Sequence, residues 1–531
     1  MSGARRYTGS LAALTCLWLA SPTMADVALP KIISDRMILQ AELPARIFGT
    51  ADDGENVTVE LLDGSGKMLQ RKAAVANDGK WSVSLDPVRP GLSLGLRISG
   101  KNQIHIKDVL SGEVWHVSGQ SNMRYPLMKL GLTEDDFARL DYPNIRFMFA
   151  PSIRWSPVQP SRKRSGVLSA LALYFAETLH ADLDRPIGII DSSQNGAGAQ
   201  QFISKEAVAA DPNLGKSLAI HGLPIGNIFE RKIAGIVPYT VRGVFWCQGE
   251  ANRDFPVTYR RLLPALMADW RGLWGRSDLP FIIVQNANYQ ERKPEPWEGG
   301  DCAIREAQLK VVQSDRNAAL VVAIDLGIAE NVHYPNKRPA AQRAARCARA
   351  LAYGEDLVYS GPLFKEARFE DGKAIVSFTH VGGGLVARGV ELKGFLLLGK
   401  KKRPVRAKAV IVGDTVVVGS PKVPQPVSVR YAWERNPDCN LYNAEGLPAS
   451  PFRSDTFANY FTTDKKPEKK PNEKPASPQP AQDSSEKVPR KVATDSARLE
   501  RIRAARMPEV TGPIQGRERS RPLPRAGEHA D

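Results

Sequence analysis

The chain passes from strand to loop at Glu113-Val114-Trp115-His116-Val117-Ser118-Gly119-Gln120-Ser121-Asn122-Met123. Glu113–Val117 is a strand-like run with apolar Val114, Trp115 and Val117, and, together with the apolar runs that follow, it is typical of a parallel sheet buried on both faces. Ser118–Met123 then places a serine between a glycine turn and two amide side chains. Ligands bind at the carboxyl ends of the strands in such sheets. The segment therefore predicts a parallel sheet that presents Ser121 at its carboxyl edge.

Strand-like and helical stretches alternate after this point. The apolar runs are Pro186–Ile190, Val241–Cys247, Phe281–Gln285 and Ala318–Asp325. The helical stretches between and after them are Gly166–His180, Thr258–Leu273, Ala303–Gln313 and Lys337–Tyr353. This alternation predicts an α/β domain over residues 111–353, with helices covering both faces of a parallel sheet.

β patterns lie on both sides of this domain. Residues 26–110 hold short alternating runs separated by Asp-Gly turns, which predict a small β-sandwich domain. The pattern returns over 354–463 and predicts a C-terminal β domain. Residues 464–531 contain ten prolines and no aromatic residue, so we expect a disordered tail rich in Lys, Arg and Pro.

Charge and the N-terminus indicate where the protein acts. The 531 residues carry a net charge of +16, but no dense basic block accounts for it, so nucleic acid is not expected as a partner. Arg5 and Arg6, the apolar run Leu11–Ala20 and Thr23-Met24-Ala25 predict a signal peptide over 1–25, cleaved after Ala25. We therefore expect a secreted or periplasmic protein with no membrane span.

Three further polar segments follow predicted strands. The glycine turn at Ser192–Gly198 can aim backbone N–H groups into a crevice, and the alternative is a plain helix-entry loop. Trp246–Asn252 places polar side chains on a tight glycine turn. Glu330–Lys337 contains His333, the one histidine with both a strand-end position and an acid three residues before it. A serine and a histidine brought together at one sheet edge indicate nucleophilic catalysis. No metal-ligand spacing is present, and no metal or cofactor is expected.

The chain resembles the SGNH/GDSL hydrolases, and within them the sialate O-acetylesterase group of secreted carbohydrate esterases. The resemblance extends from about Leu29 to Phe457 and is strongest in ordered blocks. These blocks are Met37-Ile38-Leu39-Gln40, Gly112-Glu113-Val114-Trp115, Ser118–Met123, Trp246–Asn252, Arg305-Glu306-Ala307-Gln308 and Gly446–Arg453. The resemblance implies a flavodoxin-like SGNH hydrolase domain that removes acetyl groups from sugars.

The resemblance also implies roles for individual residues. Ser121 would be the nucleophile and His333 its general base. The oxyanion hole would combine the backbone N–H groups of Ser121 and Gly196 with the side chain of Gln248, or alternatively Asn252.

The acid partner of the histidine has three candidates. The common pattern implies Glu330, related acetylesterases imply Glu250, and Asp325 is the third candidate.

Some positions depart from the family. Gln194-Asn195-Gly196-Ala197 replaces the usual Trp-Gly-Gly-Thr, and Tyr334 replaces the proline after the histidine. Both the nucleophile and the base are present, so we expect a serine esterase acting on acetylated sugars. The alternatives are a deacetylase of acetylated xylan or another polysaccharide, and a carbohydrate-binding protein that has kept the fold without catalysis.

Overall fold

The computed structural model describes residues 26–456 apart from positions 152, 153, 221 and 223. The predicted signal peptide (1–25), the predicted tail (464–531) and the last residues of the predicted C-terminal β domain (457–463) lie outside the described residues, so these predictions stay predictions. No helix among the described residues is long and apolar enough to cross a membrane.

The N-terminal strands follow the predicted alternation closely. They are β1 (Ile38–Gln40), β2 (Ala45–Thr50), β3 (Asn56–Asp63), β4 (Met68–Val75), β5 (Lys80–Leu85), β6 (Ser93–Ser99) and β7 (Gln103–Gly119). β3 pairs with β4 and β6, β6 pairs with β7, and β2 forms a separate two-stranded antiparallel sheet with β5. In β5 the buried and exposed residues alternate strictly, as expected for a sheet with one face toward the core.

The central region contains nine helices and six strands among the described residues. They are α1 (Ser121–Arg124), α2 (Glu134–Ala138), β8 (Tyr142–Phe149), β9 (Ser156–Val158), α3 (Arg162–Ser165), α4 (Ala170–Leu183), β10 (Ile187–Asp191), α5 (Lys205–Ala210), α6 (Pro212–Ile220), β11 (Gly243–Cys247), α7 (Pro256–Trp274), β12 (Phe281–Val284), α8 (Gly300–Ser314), β13 (Ala318–Val321) and α9 (Arg338–Tyr353). Short helical turns lie at Leu127–Lys129, Ala199–Gln201, Phe229–Ile233 and Glu250–Asn252.

The central strands form a parallel sheet in the order β13-β12-β11-β7-β10-β8, with β9 added antiparallel at the edge. Alternate residues of β7 enter two different cores. Trp115 packs with Phe175 of α4 on one face, and His116 stacks on Trp270 of α7 on the other. The predicted mixed α/β structure with a parallel sheet covered on both faces is confirmed.

The C-terminal strands are all antiparallel. They are β14 (Leu363–Glu370), β15 (Lys373–Thr379), β16 (Leu385–Ala387), β17 (Phe395–Leu398), β18 (Pro404–Arg406), β19 (Lys408–Val412), β20 (Thr415–Gly419), β21 (Ser428–Tyr431), β22 (Leu441–Asn443) and β23 (Phe452–Arg453). They form sheets β14-β15-β20-β19 and β18-β17-β21-β23 and the pair β16-β22. The buried Arg305 of α8 donates to the carbonyl oxygens of Glu434 and Arg435, which ties this region to the central domain.

The predicted domain boundaries stay predictions. β7 runs without a break through the boundary at residue 110, and the described residues all belong to one compact unit. Cys247, Cys302, Cys347 and Cys439 are all free thiols.

A buried charge cluster lies at the amino end of the parallel sheet. Glu113 of β7 is completely buried and accepts hydrogen bonds from Gln40 (3.0 Å), Arg185 (2.7 Å), Arg242 (2.7 Å) and Tyr353 (3.2 Å). These partners come from four distant parts of the chain. The cluster therefore joins the N-terminal strands, the sheet and α9 at the edge opposite Ser121.

We predict that Glu113→Ala lowers the free energy of unfolding by about 3–5 kcal/mol, because it removes the fully buried carboxylate that faces Arg242 and leaves only the partly exposed Glu42 to pair with it. Urea unfolding measures the loss. The control is Lys72→Ala, which breaks the exposed pair with Asp86 and is expected to change stability by less than about 1 kcal/mol. Equal losses in the two variants would contradict the assignment.

Candidate active site

Ser121 lies where β7 turns into α1. Gly119 has a φ of +128°, and a Cβ there would lie 2.1 Å from the carbonyl oxygen of Cys247, so only glycine fits this turn. The N–H of Gln120 donates to that same carbonyl (2.9 Å). The chain is thereby held against the end of β11, and Ser121 becomes the first residue of a short helical turn at the sheet edge.

His333 meets Ser121 across 212 positions of sequence. Its Nε2 lies 2.7 Å from the Ser121 Oγ, and its backbone N–H donates to the Asn331 side chain (2.8 Å). The imidazole also lies beside the ring of Tyr125, with 5.8 Å between centroids. The distance between hydroxyl and imidazole is that of a nucleophile and its general base.

The environment keeps His333 neutral. Burial lowers the pKa of its imidazole, and the positive charges of Lys337 and Lys129 lower it further. A neutral ring at physiological pH has a free lone pair for the serine proton.

The three candidate acids lie in different surroundings. Asp325 forms a two-point ion pair with Arg343 (2.7 Å at both oxygens) and accepts from Tyr442 (3.1 Å). Glu250 is engaged with Asn122, and Glu330 is exposed in the loop before His333. Among the described residues, none of the three carboxylates hydrogen-bonds to the His333 ring, and the choice between them stays a prediction.

Asn122 connects the serine turn to the other two segments. Its Nδ2 donates to Glu250 Oε1 (2.7 Å) and to the Val332 carbonyl oxygen (3.2 Å). Its Oδ1 accepts from Lys337 Nζ (2.5 Å). Burial raises the pKa of the Glu250 carboxyl, against the opposing effects of its hydrogen bonds and of Lys337. Asn122, which follows Ser121, is thus hydrogen-bonded to Val332, which precedes His333.

A buried amide network surrounds the predicted oxyanion site. Gln248 Nε2 lies within donating distance of Asn252 Oδ1 (2.7 Å), Gln120 Oε1 (3.2 Å) and the Ala197 carbonyl oxygen (3.2 Å). Asn252 Nδ2 donates to Gln200 Oε1 (3.1 Å). An amide NH₂ has two hydrogens, so Gln248 has none to spare, whereas Asn252 Nδ2 has one acceptor among the described residues and keeps one hydrogen.

The predicted backbone donors of the oxyanion site, unlike the Gln248 amide, have no hydrogen-bond acceptor among the described residues. In the part of the chain that the structure describes, the N–H groups of Ser121 and Gly196 donate to no protein acceptor. Gly196 is exposed at a φ of +69°, in a left-handed turn that favours glycine. Free N–H groups at the sheet edge are the kind of donor that an oxyanion requires.

The structure also shows residues to which the sequence assigned no role. Gln120 accepts from the backbone N–H groups of Gly249 (3.4 Å) and Ala251 (3.1 Å), so it fixes the turn after β11. Lys337 is completely buried although a lysine before a helix is usually exposed. The amide-rich turn was a signal for Gln120, whereas nothing in the local sequence indicated that Lys337 is buried. Within the described residues, no three His, Cys, Asp or Glu side chains are grouped to hold a metal ion.

Comparisons with known proteins identify the relatives of this chain. A family model described as carbohydrate esterase, sialic acid-specific acetylesterase, matches residues 111–352. The human sialate O-acetylesterase is 27% identical over 520 residues, which cover 85% of this chain and 96% of that protein. The mouse sialate O-acetylesterase is 26% identical over 509 residues, or 79% and 93% of the two chains.

The comparison with solved structures includes a close match over most of the chain. A crystal structure of a carbohydrate acetylesterase from Xanthomonas citri is 32% identical and has a TM-score of 0.73. The match covers 81% of this chain and 100% of that one.

We predict that Lys129→Gln raises the pKa of His333, because it removes one of the two cations that repel the imidazolium. Lys129 is exposed, so the rise should stay below ~0.5 unit at low salt and shrink as salt screens the charge. NMR titration of ¹³C-labelled histidines measures it, with His333→Gln assigning the signal. Lys216→Gln, an exposed lysine on α6, is the control and should leave the titration unchanged. A lowered pKa in Lys129→Gln would contradict this electrostatic account.

Proposed function

We propose that this chain, which belongs to the carbohydrate esterase family of sialic acid-specific acetylesterases, works through an acyl-enzyme on Ser121. It is a carbohydrate O-acetylesterase. The observation that carries the proposal is the 2.7 Å distance between Ser121 Oγ and His333 Nε2. No other group is needed to generate the nucleophile, since the neutral imidazole accepts the serine proton directly.

The first half-reaction follows from this pair. His333 Nε2 takes the proton of the Ser121 hydroxyl while Oγ attacks the acetyl carbonyl carbon. The carbonyl oxygen becomes the oxyanion of a tetrahedral intermediate. Its collapse breaks the bond to the sugar oxygen, which leaves with the proton held by His333. Ser121 then carries the acetyl group, and the sugar hydroxyl is free.

The second half-reaction uses the same base. His333 Nε2 takes a proton from water as the water oxygen attacks the acetyl carbon on Ser121. Collapse of this intermediate returns the proton to Ser121 Oγ and releases acetate.

The oxyanion donors proposed are the backbone N–H groups of Ser121 and Gly196 and the uncommitted N–H of Asn252. The hydrogen bonds of the two amides support Asn252 over Gln248, because both amide hydrogens of Gln248 already have acceptors. Each such donor is expected to stabilise the transition state by ~3 kcal/mol. Gln248 would instead hold the turn after β11 in place.

Glu330 is proposed as the acid partner of His333. Asp325 is neutralised by Arg343, and Glu250 is held by Asn122, whereas Glu330 is an exposed side chain three residues before the histidine. Exposed side chains change rotamer readily, and catalytic hydrogen bonds often form only once substrate is bound. A carboxylate near the ring would stabilise the imidazolium formed during each proton transfer.

The proposed substrate is an O-acetylated sialic acid on a secreted or periplasmic route. The support is the description of the matching family model and the names of the human and mouse relatives. Acetylated xylan is the competing substrate, because the loop Gln194–Ala197 departs from the usual family sequence.

We predict that Ser121→Ala abolishes acetate release from p-nitrophenyl acetate, with a loss of at least ~10³-fold in kcat. The comparison uses purified residues 26–531 and includes thermal unfolding to show that the variant is folded. A folded wild type that is no faster than Ser121→Ala would contradict the serine mechanism and favour a carbohydrate-binding protein.

The same wild-type enzyme then decides the substrate. We expect a higher kcat/KM for an O-acetylated sialic acid than for acetylated xylan. A higher kcat/KM for acetylated xylan would leave the esterase mechanism in place and contradict the proposed sialic acid substrate.

We predict that Glu330→Gln lowers kcat at least ~10-fold at pH 7, because the neutral amide cannot stabilise the imidazolium. The matched control is Glu295→Gln, another exposed glutamate, which should retain wild-type kcat. If both glutamine variants retain full activity, Glu330 is not the acid.

A further inference from the structure

Lys337 is a cation buried next to the proposed catalytic pair. It lies four residues after His333, directly before α9, and its side chain has no exposed surface. Its Nζ lies 2.5 Å from Asn122 Oδ1 and 3.5 Å from the centroid of the Tyr334 ring. No carboxylate of the described residues forms an ion pair with it. Burying an ammonium group on an amide oxygen and a π-face costs free energy that an apolar side chain would avoid.

The donor inventory shows what this cation does to Asn122. A lysine ammonium can only donate, so it selects the oxygen of the Asn122 amide as its partner. The two N–H groups of that amide are then turned toward Glu250 Oε1 and the Val332 carbonyl oxygen, and both oxygens accept from them. Reversing the amide would set donor against donor and acceptor against acceptor.

The oriented amide connects both proposed catalytic residues through the backbone. Asn122 directly follows Ser121, and Val332 directly precedes His333. The Asn122–Val332 bond (3.2 Å) therefore joins the nucleophile turn to the base loop, beside the 2.7 Å contact between Ser121 and His333. The base loop has little regular structure of its own, so this bond is one of the few constraints on the position of His333.

We infer that Lys337 is a positioning residue that fixes the Asn122 amide and thereby holds His333 at hydrogen-bonding distance from Ser121. The inference rests on the proposed function, since it gives Lys337 a role in the Ser121–His333 chemistry. Lys337 contacts no reacting atom, and it affects the position of His333 through Asn122.

The charges around Lys337 add a second effect. The groups that face it are Asn122 and Tyr125 from the serine turn, Cys247 and Glu250 from the end of β11, and His333 and Tyr334 from its own segment. Burial lowers the pKa of Lys337 to about 7, against the opposing effects of Cys247 and Glu250. The pKa of His333 lies below its usual value, partly because of the Lys337 charge. The charge of Lys337 opposes protonation of His333, so its removal should raise the pKa of His333.

The first experiment is Lys337→Met, which keeps the length and apolar stem of the side chain. We expect kcat for p-nitrophenyl acetate to fall by ~10²-fold, because a small displacement of His333 slows proton transfer. KM should change less than threefold. The acidic limb of the kcat/KM profile should move to higher pH by ~0.5 unit. A side chain that only supports folding would lower the unfolding temperature without moving that limb.

Two further variants isolate the path through Asn122. If Lys337 acts only through the amide, Asn122→Ala/Lys337→Met should be no slower than Asn122→Ala alone. Lys337→Gln keeps a donor and removes the charge, so it should recover part of kcat while keeping the shifted acidic limb. It also serves as the test if the methionine variant does not fold. The matched control is Lys216→Met, which should behave as wild type.

The outcomes separate this inference from the proposed function. An active Ser121→Ala enzyme would overturn the serine mechanism whatever Lys337 does. An inactive Ser121→Ala together with a fully active Lys337→Met of unchanged pH profile would overturn only the role of Lys337. Additive losses in the double variant would show that Lys337 does not act through Asn122.

Discussion

Backbone hydrogen bonding along β7 constrains the rest of the described structure. This 17-residue strand pairs with β1 and β6 in its first part and with β10 and β11 in its second. Its register on β11 brings Gly119 opposite Cys247, and the close approach there excludes any side chain. The serine turn therefore starts at one fixed place, and a one-residue slip would reverse which side chains enter each core.

The site built on this edge is held mainly by amide groups. Gln120, Asn122, Gln248 and Asn252 link the serine turn to the turn after β11 through bonds of 2.7–3.4 Å. A buried amide network rigidifies a site only when its donors and acceptors match, because each unmatched group carries a desolvation penalty. The positions of the nucleophile, the base and the backbone donors therefore depend on one another.

The strands were predictable from the sequence where apolar residues run unbroken, and the polar details were not. The run Phe281–Gln285 became β12 almost residue for residue. The strand β8 was missed because Tyr-Pro-Asn at its start and Arg146 within it lack an apolar pattern. Spacing alone also identified His333, since one histidine had both the strand-end position and a neighbouring acid.

The limits of sequence reasoning are clearest at the charged groups. Lys337 directly precedes α9, where a lysine is normally solvated, and it is buried against Asn122 and Tyr334. Glu250, Glu330 and Asp325 all had plausible positions in sequence. What distinguishes the three acids is hydrogen bonding to residues distant in the chain, such as Arg343 for Asp325 and Asn122 for Glu250. Neither local propensity nor periodicity encodes such pairings.

The central claim is that His333 makes Ser121 a nucleophile, and covalent labelling tests it most directly. The folded protein is treated with a fluorophosphonate, which reacts with activated serines, and the modified peptide is identified by mass spectrometry. The account predicts one label per chain, on Ser121, with activity lost in proportion and labelling strongly slowed in His333→Ala. Labelling at another serine, or equal labelling of Ser121 in His333→Ala, would contradict it.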